Sequence, residues 1–193
     1  MVPVKEAPPV TFVVQAGGRG TRLGGAAKGL IRLGNERIVD RLLGLSRGWP
    51  TWLVANDPRA YEDLAVPIVG DVVPGRGAPG GVVTALAIAA TEWVVTVACD
   101  MPFVTHAAID ALVAAAGDDV DVVCFERGGR LEPLLGLYRR ALVTRWGEAL
   151  EAEPSLQALI RSVRARVLTP GDPAVLDSLN TPDDLARAGA MTA

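Results

Sequence analysis

Short apolar runs rich in β-branched residues alternate with longer stretches in which apolar positions recur every three or four residues. The short runs lie at residues 11–15 (Thr-Phe-Val-Val-Gln), 51–55, 66–69, 93–98, 120–125, 131–138 and 166–168, and each predicts a strand. Between them, Ile38, Leu42 and Leu45 carry helical spacing over 37–45, and 79–90 is a helical segment of small residues. Thr105 predicts the cap of a helix reaching residue 116, and two helices fill 141–162. Thr181-Pro182-Asp183-Asp184 joins a capping Thr, a Pro at the first helical position and acids at the positive end of the dipole, and so predicts a final helix.

The 93–98 run does not alternate, which predicts a strand buried on both faces. Pro133 inside the 131–138 run predicts an edge strand or a bulge, and Arg127-Gly128-Gly129-Arg130 before it predicts a turn. Strands separated by helical crossovers imply a three-layer α/β/α fold with a mostly parallel central sheet. With 193 residues, the expectation is one domain over 11–193, preceded by a tail at 1–10 expected to be disordered.

Composition narrows the function classes. Half the residues are hydrophobic and 21% are charged, as in a globular domain. A net charge of −3 argues against a nucleic-acid binder, so a polyanionic substrate has to meet a local positive patch. Cys99 and Cys124, with His106 as the one histidine, are too few and too scattered for a zinc site. No apolar stretch has the length and freedom from charge of a membrane span, and the expected compartment is the cytoplasm.

The densest chemistry lies at 15–29, Gln15-Ala16-Gly17-Gly18-Arg19-Gly20-Thr21-Arg22-Leu23-Gly24-Gly25-Ala26-Ala27-Lys28-Gly29. A buried strand feeds directly into this loop, and ligands of open α/β sheets bind beyond the carboxyl ends of strands. Glycines there let backbone N–H groups approach a phosphate chain, and Arg22 and Lys28 supply the positive charge. A Walker loop is excluded, because Lys28 follows Ala27 and precedes Gly29. A dinucleotide fingerprint starting at Gly18 is excluded by Leu23. Asp100, two residues beyond a buried strand, is either a carboxylate for a hard cation such as Mg²⁺ or a turn residue before Pro102. Asp71 reads a base or ribose, or caps a turn. Asn180 either faces the site or simply precedes the Thr181 cap. His106 reads as a surface residue of a first helical turn, the four tryptophans as core, and Arg139-Arg140 as a solvated helix start.

The glycine loop resembles the signature of nucleoside triphosphate transferases with the glycosyltransferase-A-like fold. Further segments resemble the molybdenum cofactor guanylyltransferases within that group: Val54-Ala55-Asn56, Asp71, Gly77-Ala78-Pro79-Gly80-Gly81, Cys99-Asp100-Met101-Pro102-Phe103 and Leu179-Asn180-Thr181-Pro182-Asp183-Asp184-Leu185. The resemblance implies a nucleotide-diphospho-sugar transferase (Rossmann-like) architecture and transfer of GMP from GTP to the terminal phosphate of molybdopterin, with Mg²⁺ and release of pyrophosphate. It implies catalytic roles for Arg22, Lys28 and Asp100, with Asp100 on the metal. Nucleotide contacts are implied for Gln15, Ala16, Gly17, Gly18, Lys28, Asn56, Asp71 and Asp100, and acceptor contacts for Gly80, Gly81 and Asn180. Transient contacts with other proteins of the cofactor pathway are implied as well.

Three positions depart from that pattern: Gln15 stands where Leu is common, Ala27 where an acid precedes the lysine, and Glu132 where Gln or His precedes the proline. Spacing leaves the base open, so a sibling enzyme using CTP or another phosphorylated acceptor is a rival reading. A catalytically silent nucleotide-binding adaptor is another.

Overall fold

The computed structural model describes residues 8–17 and 27–192. Its first strand, β1 (Val10–Gln15), begins one residue before the expected run and is buried along its whole length. In chain order there follow β2 (Arg32–Leu33), β3 (Glu36–Arg37), α1 (Ile38–Leu43), β4 (Thr51–Val54), β5 (Ile68–Val69), α2 (Gly77–Ile88), β6 (Trp93–Ala98) and α3 (His106–Ala114). The second half holds β7 (Val122–Arg127), β8 (Arg130–Arg139), α4 (Val143–Ala149), α5 (Leu156–Arg161), β9 (Ala165–Leu168) and α6 (Pro182–Thr192).

Seven strands form one sheet in the order β5-β4-β1-β6-β8-β7-β9. β1 pairs in parallel with β4 and β6, β4 with β5, and β7 with β9. Among the described strands of this sheet, only β8 runs against its neighbours, β6 and β7. Successive side chains leave a strand on opposite faces, and two apolar layers follow from that period. Phe12, Val14, Val95 and Val97 pack with Ile38, Leu42, Ile109 and Leu112 on one side. Val13, Val94 and Tyr138 pack with Val82, Leu86, Trp146 and Ile160 on the other. The sheet is thus covered on both faces, as the non-alternating 93–98 run predicts.

β8 resolves the Pro133 question. The strand is internal, so the edge alternative is overturned, and Pro133 lies in a bulge instead. Cys124 pairs with Gly136 but Phe125 pairs with Glu132, so residues 133–135 have no partner on β7. The Tyr138 hydroxyl donates to the Pro133 carbonyl. Gly136 makes room for that, because a Cβ there would lie 2.9 Å from the Tyr138 ring. The Gly128-Gly129 turn has positive φ at both residues (60° and 77°), the geometry of a two-residue hairpin.

Arg139 corrects the expectation of a solvated helix start. It ends β8, its guanidinium lies 4.5 Å over the Trp93 ring, it pairs with Glu92, and it donates to the Gly117 and Val120 carbonyls. Arg140, the next residue, is exposed as expected. The β2–β3 hairpin was not foreseen, although Gly34-Asn35 is a turn signal and Gly34 adopts a φ of 63°.

Candidate active site

The parallel strands β1, β4 and β6 deliver their carboxyl ends to one rim of the sheet. Because β8 is antiparallel, it reaches the same rim with its beginning. A cavity of about 500 Å³ opens there, lined by Gln15, Gly17, Lys28, Val54, Asn56, Asp71, Gly81, Ala98, Asp100 and Leu134 among others. Residues separated by up to 119 positions in sequence therefore share one cavity.

Lys28 lies in a single 3-10 turn, Lys28–Leu30, directly after the glycine loop. Its ammonium donates to Asp100 Oδ2 at 3.0 Å and to Asn180 Oδ1 at 2.7 Å. The turn is wedged in place by Gly29, where a Cβ would stand 3.0 Å from Tyr61 Oη and 3.3 Å from Val39 Cβ. Asp100 follows β6 through the buried Cys99, whose thiol burial pushes up to about 12. The Asp100 carboxylate faces Lys28, and its carbonyl accepts from the Leu179 N–H at 2.8 Å. That bond fastens the closing segment to the rim. Asn180 then serves two purposes: its side chain enters the site, while its N–H donates to Asp184. Thr181 Oγ1 accepts from the Asp184 N–H, and the Asp184 carboxylate accepts from the Thr181 N–H, which closes a capping box at α6.

On the opposite side of the cavity Asn56 lies against Gly17, where a Cβ would be 3.6 Å from Asn56 Nδ2. The Ala16 N–H is used inside the fold, donating to the Val54 carbonyl at 2.7 Å. Beside Asp71, the Val72 N–H donates to Thr84 Oγ1, which ties this loop to α2. Burial alone raises the pKa of the Asp71 carboxyl above the usual carboxylate range. Gln15 is buried, and its Oε1 faces Gly81, where a Cβ would come within 2.6 Å of it. Of the two glycines expected at the acceptor, Gly81 lines the cavity beside Gln15, whereas Gly80 is packed under Arg76 and the Val73 carbonyl. A helix turns about 100° per residue, which separates these neighbours. Gly18 and Arg22 lie outside the described residues.

Glu132 sits beside this rim in the bulged part of β8. Burial raises its pKa against the pull of Arg127 and Arg130, and the charge of Asp100 adds to the rise. His106 is exposed at the first turn of α3, as expected. Among the described residues no group of three His, Cys, Asp or Glu could hold a metal by itself. Asp100 and Asn180 offer hard oxygen atoms around one cationic point, now served by Lys28 Nζ. That donor set suits Mg²⁺, which is commonly held by one or two carboxylates and completed by phosphate oxygens and water.

The model of the MobA-like NTP transferase domain matches residues 12–167, a span that contains Gln15, Lys28, Asn56, Asp71 and Asp100. This chain belongs to the MobA-like NTP transferase family. A molybdenum cofactor guanylyltransferase from Serratia proteamaculans is 33% identical over 184 residues, which is 92% of this chain and 93% of that protein. A probable molybdenum cofactor guanylyltransferase from Carboxydothermus hydrogenoformans is 36% identical over 135 residues, covering 69% and 67%. Among solved structures, molybdopterin-guanine dinucleotide biosynthesis protein A from Archaeoglobus fulgidus aligns with a TM-score of 0.80 at 23% identity, over 94% of this chain and 97% of that one. This last likeness is one of fold. The MobA-like fold explains why the site residues come from strand ends and loops: the sheet is the rigid frame and its rim carries the chemistry.

Proposed function

We propose that this MobA-like domain transfers GMP from GTP to the terminal phosphate of molybdopterin. The observation that carries the reading is the convergence of Lys28, Asp100 and Asn180 at a rim that Gly17 also lines, in a chain whose relatives are molybdenum cofactor guanylyltransferases. An oxygen of the acceptor phosphate forms a bond to the α-phosphorus of GTP. The bond from that phosphorus to the β-phosphate bridging oxygen breaks, and pyrophosphate leaves. The nucleophile is already an anion, so no strong base is required. The barrier is electrostatic, since two polyanions have to meet.

Asp100 and Asn180 hold the Lys28 ammonium at the rim before substrate arrives, and would free it to neutralise phosphate charge once a cation took their oxygens. Asn56 and Asp71 flank the part of the cavity that takes the nucleoside. Mg²⁺, held by Asp100 with Asn180 and the phosphate oxygens, would supply further charge neutralisation for the departing pyrophosphate. No helix among the described residues is long and apolar enough to cross a membrane.

The test is pyrophosphate release by the purified protein with molybdopterin and each of GTP, CTP, ATP and UTP, with Mg²⁺ and again with excess chelator. Release with GTP alone, lost on chelation and restored by Mg²⁺, is the expected result. Release with CTP in place of GTP would assign the sibling activity. GTP binding without turnover would assign a silent adaptor.

A further inference from the structure

The Asn180 carboxamide is held from both ends. Its Oδ1 accepts from Lys28 Nζ at 2.7 Å, and its Nδ2 donates to Ser178 Oγ at 2.8 Å. The first contact spans 152 positions of sequence and the second only 2. A hydrogen bond between residues two apart on an exposed segment is by itself an ordinary turn feature. This one is set apart by how firmly the hydroxyl is placed, because Ser178 stands between two anchored neighbours. Before it, Arg127 donates to the Leu176 carbonyl at 3.3 Å and pairs with the Asp177 carboxylate. After it, Leu179 is 3% exposed, and its N–H donates to the Asp100 carbonyl at 2.8 Å. The Asn180 N–H is held by Asp184 at 3.0 Å. Backbone and side chain of Asn180 are thus fixed separately, the one by the α6 cap and the other by Ser178.

The amide torsion of asparagine is broad and roughly two-fold, and an exposed side chain gains entropy when it is let go. While Lys28 is in place, its ammonium selects Oδ1. Phosphate draws that ammonium off, and the carboxamide then needs a second hold if its oxygen is to stay turned to an arriving cation. Ser178 supplies one on the side away from Lys28, so any swing of the amide out of the site breaks the bond to its hydroxyl. We propose that Ser178 is a positioning residue for the divalent cation, keeping the Asn180 oxygen presented beside Asp100 after Lys28 has turned to phosphate. The inference rests on the proposed Mg²⁺ role of Asp100 and Asn180, and adds the group that holds one of them in place. Groups that orient a metal ligand typically contribute about 10–100-fold to metal affinity or activity, and a hydrogen bond on an exposed segment belongs at the lower end.

The test is calorimetric binding of GTP without acceptor, once with Mg²⁺ and once with excess chelator, to the wild type, Ser178→Thr and Ser178→Val. Thr and Val share a shape and differ in the hydroxyl. The ratio of the two affinities reads the contact between metal and protein with no turnover involved. Wild type and Ser178→Thr gain from Mg²⁺ by the same factor. In Ser178→Val that factor falls roughly tenfold, while affinity under chelator is unchanged. Ser178→Val also needs roughly tenfold more Mg²⁺ for half-maximal pyrophosphate release and recovers kcat at saturating Mg²⁺. In an Asn180→Ala background Ser178→Val has no further effect, because the hydroxyl acts through the carboxamide. Equal thermal melts establish that the variants are folded, and Ser178→Ala gives the same readout should the valine not be accommodated. A Mg²⁺ factor unchanged in both Ser178→Val and Ser178→Ala, or a loss that persists undiminished in Asn180→Ala, overturns the role of Ser178 alone. A wild type whose GTP affinity is the same with Mg²⁺ and with chelator overturns it together with the metal reading.

Discussion

The Lys28 ammonium lies 3.0 Å from Asp100 Oδ2, joining the end of the glycine loop to the turn beyond β6 across 72 positions of sequence. The two side chains are similarly exposed, at 18% and 21%, so the pair is neither a surface ion pair nor a dry one. Its position, open to the cavity on one side, leaves both groups able to exchange each other for phosphate and a cation.

Substitution of either partner is expected to lower turnover by ~10²–10³, the usual effect of removing one preorganised electrostatic contact. Lys28→Met and Asp100→Asn would both show this in steady-state pyrophosphate release. Lys28→Arg should rescue little, because a planar fork cannot reproduce a point charge shared by two oxygens. Undiminished turnover in Asp100→Asn would sink the metal assignment.

Asp71 makes a prediction about pH. Its folded-state pKa is raised, so the folded protein holds the proton more tightly than the unfolded chain does. The carboxylate therefore costs stability at neutral pH, and that cost fades as pH falls through the raised value toward the unfolded pKa of ~3.9. Asp71→Asn should melt higher than the wild type at pH 7, with the difference shrinking on acidification. The same variant should bind GTP more weakly. Equal melting curves at all pH values would contradict the burial argument.

The α6 cap predicts the opposite sign. Hydrogen bonds from Asn180 N–H and Thr181 hold the Asp184 carboxyl down at about 2. A depressed pKa contributes stability that is complete above the unfolded value of ~3.9 and is lost as pH falls to about 2. Proteolysis or amide exchange of α6 should accelerate across that window in the wild type and less so in Asp184→Asn. Thr181→Ala removes the hydroxyl cap and should cost about 1 kcal/mol in denaturant unfolding.

Gly29 and Tyr61 should be coupled. A methyl at residue 29 meets Tyr61 Oη at 3.0 Å, and that hydroxyl is itself buried without a partner. Gly29→Ala is expected to lose ~1–3 kcal/mol by overpacking and to lower activity by displacing Lys28. Tyr61→Phe alone should be neutral or stabilising, since it removes an unpaired polar atom. The double variant should recover much of both losses, measurable as a coupling energy in a double-mutant cycle.

Much of this was legible in the chain. The non-alternating run at 93–98 and the glycine loop after 11–15 fixed the layers and the rim, because burial on both faces and a loop beyond a strand each have a direct sequence signature. Strand direction did not: an apolar run reads the same either way, and β8 is reversed only because Gly128-Gly129 folds it straight back on β7. Arg139 was misread for a related reason. Its partners, Trp93, Glu92 and the Gly117 and Val120 carbonyls, lie far off in sequence, and local pattern registers none of them. Gln15 was visible as a departure from the resemblance, but an orphaned amide is a property of its surroundings and shows only once α2 brings Gly81 against it.

The reversed course of β8 has a consequence for how such a protein diversifies. Gln15, Asn56 and Asp100 stand at or just beyond strand ends, where any change in strand length moves the residue. Glu132 and Leu134 stand near a strand beginning, a few positions after a two-glycine hairpin. Lengthening or shortening that hairpin reshapes one bank of the cleft while every parallel strand keeps its register. The two banks can thus drift independently, the hairpin side changing shape while Gln15, Asn56 and Asp100 keep their places.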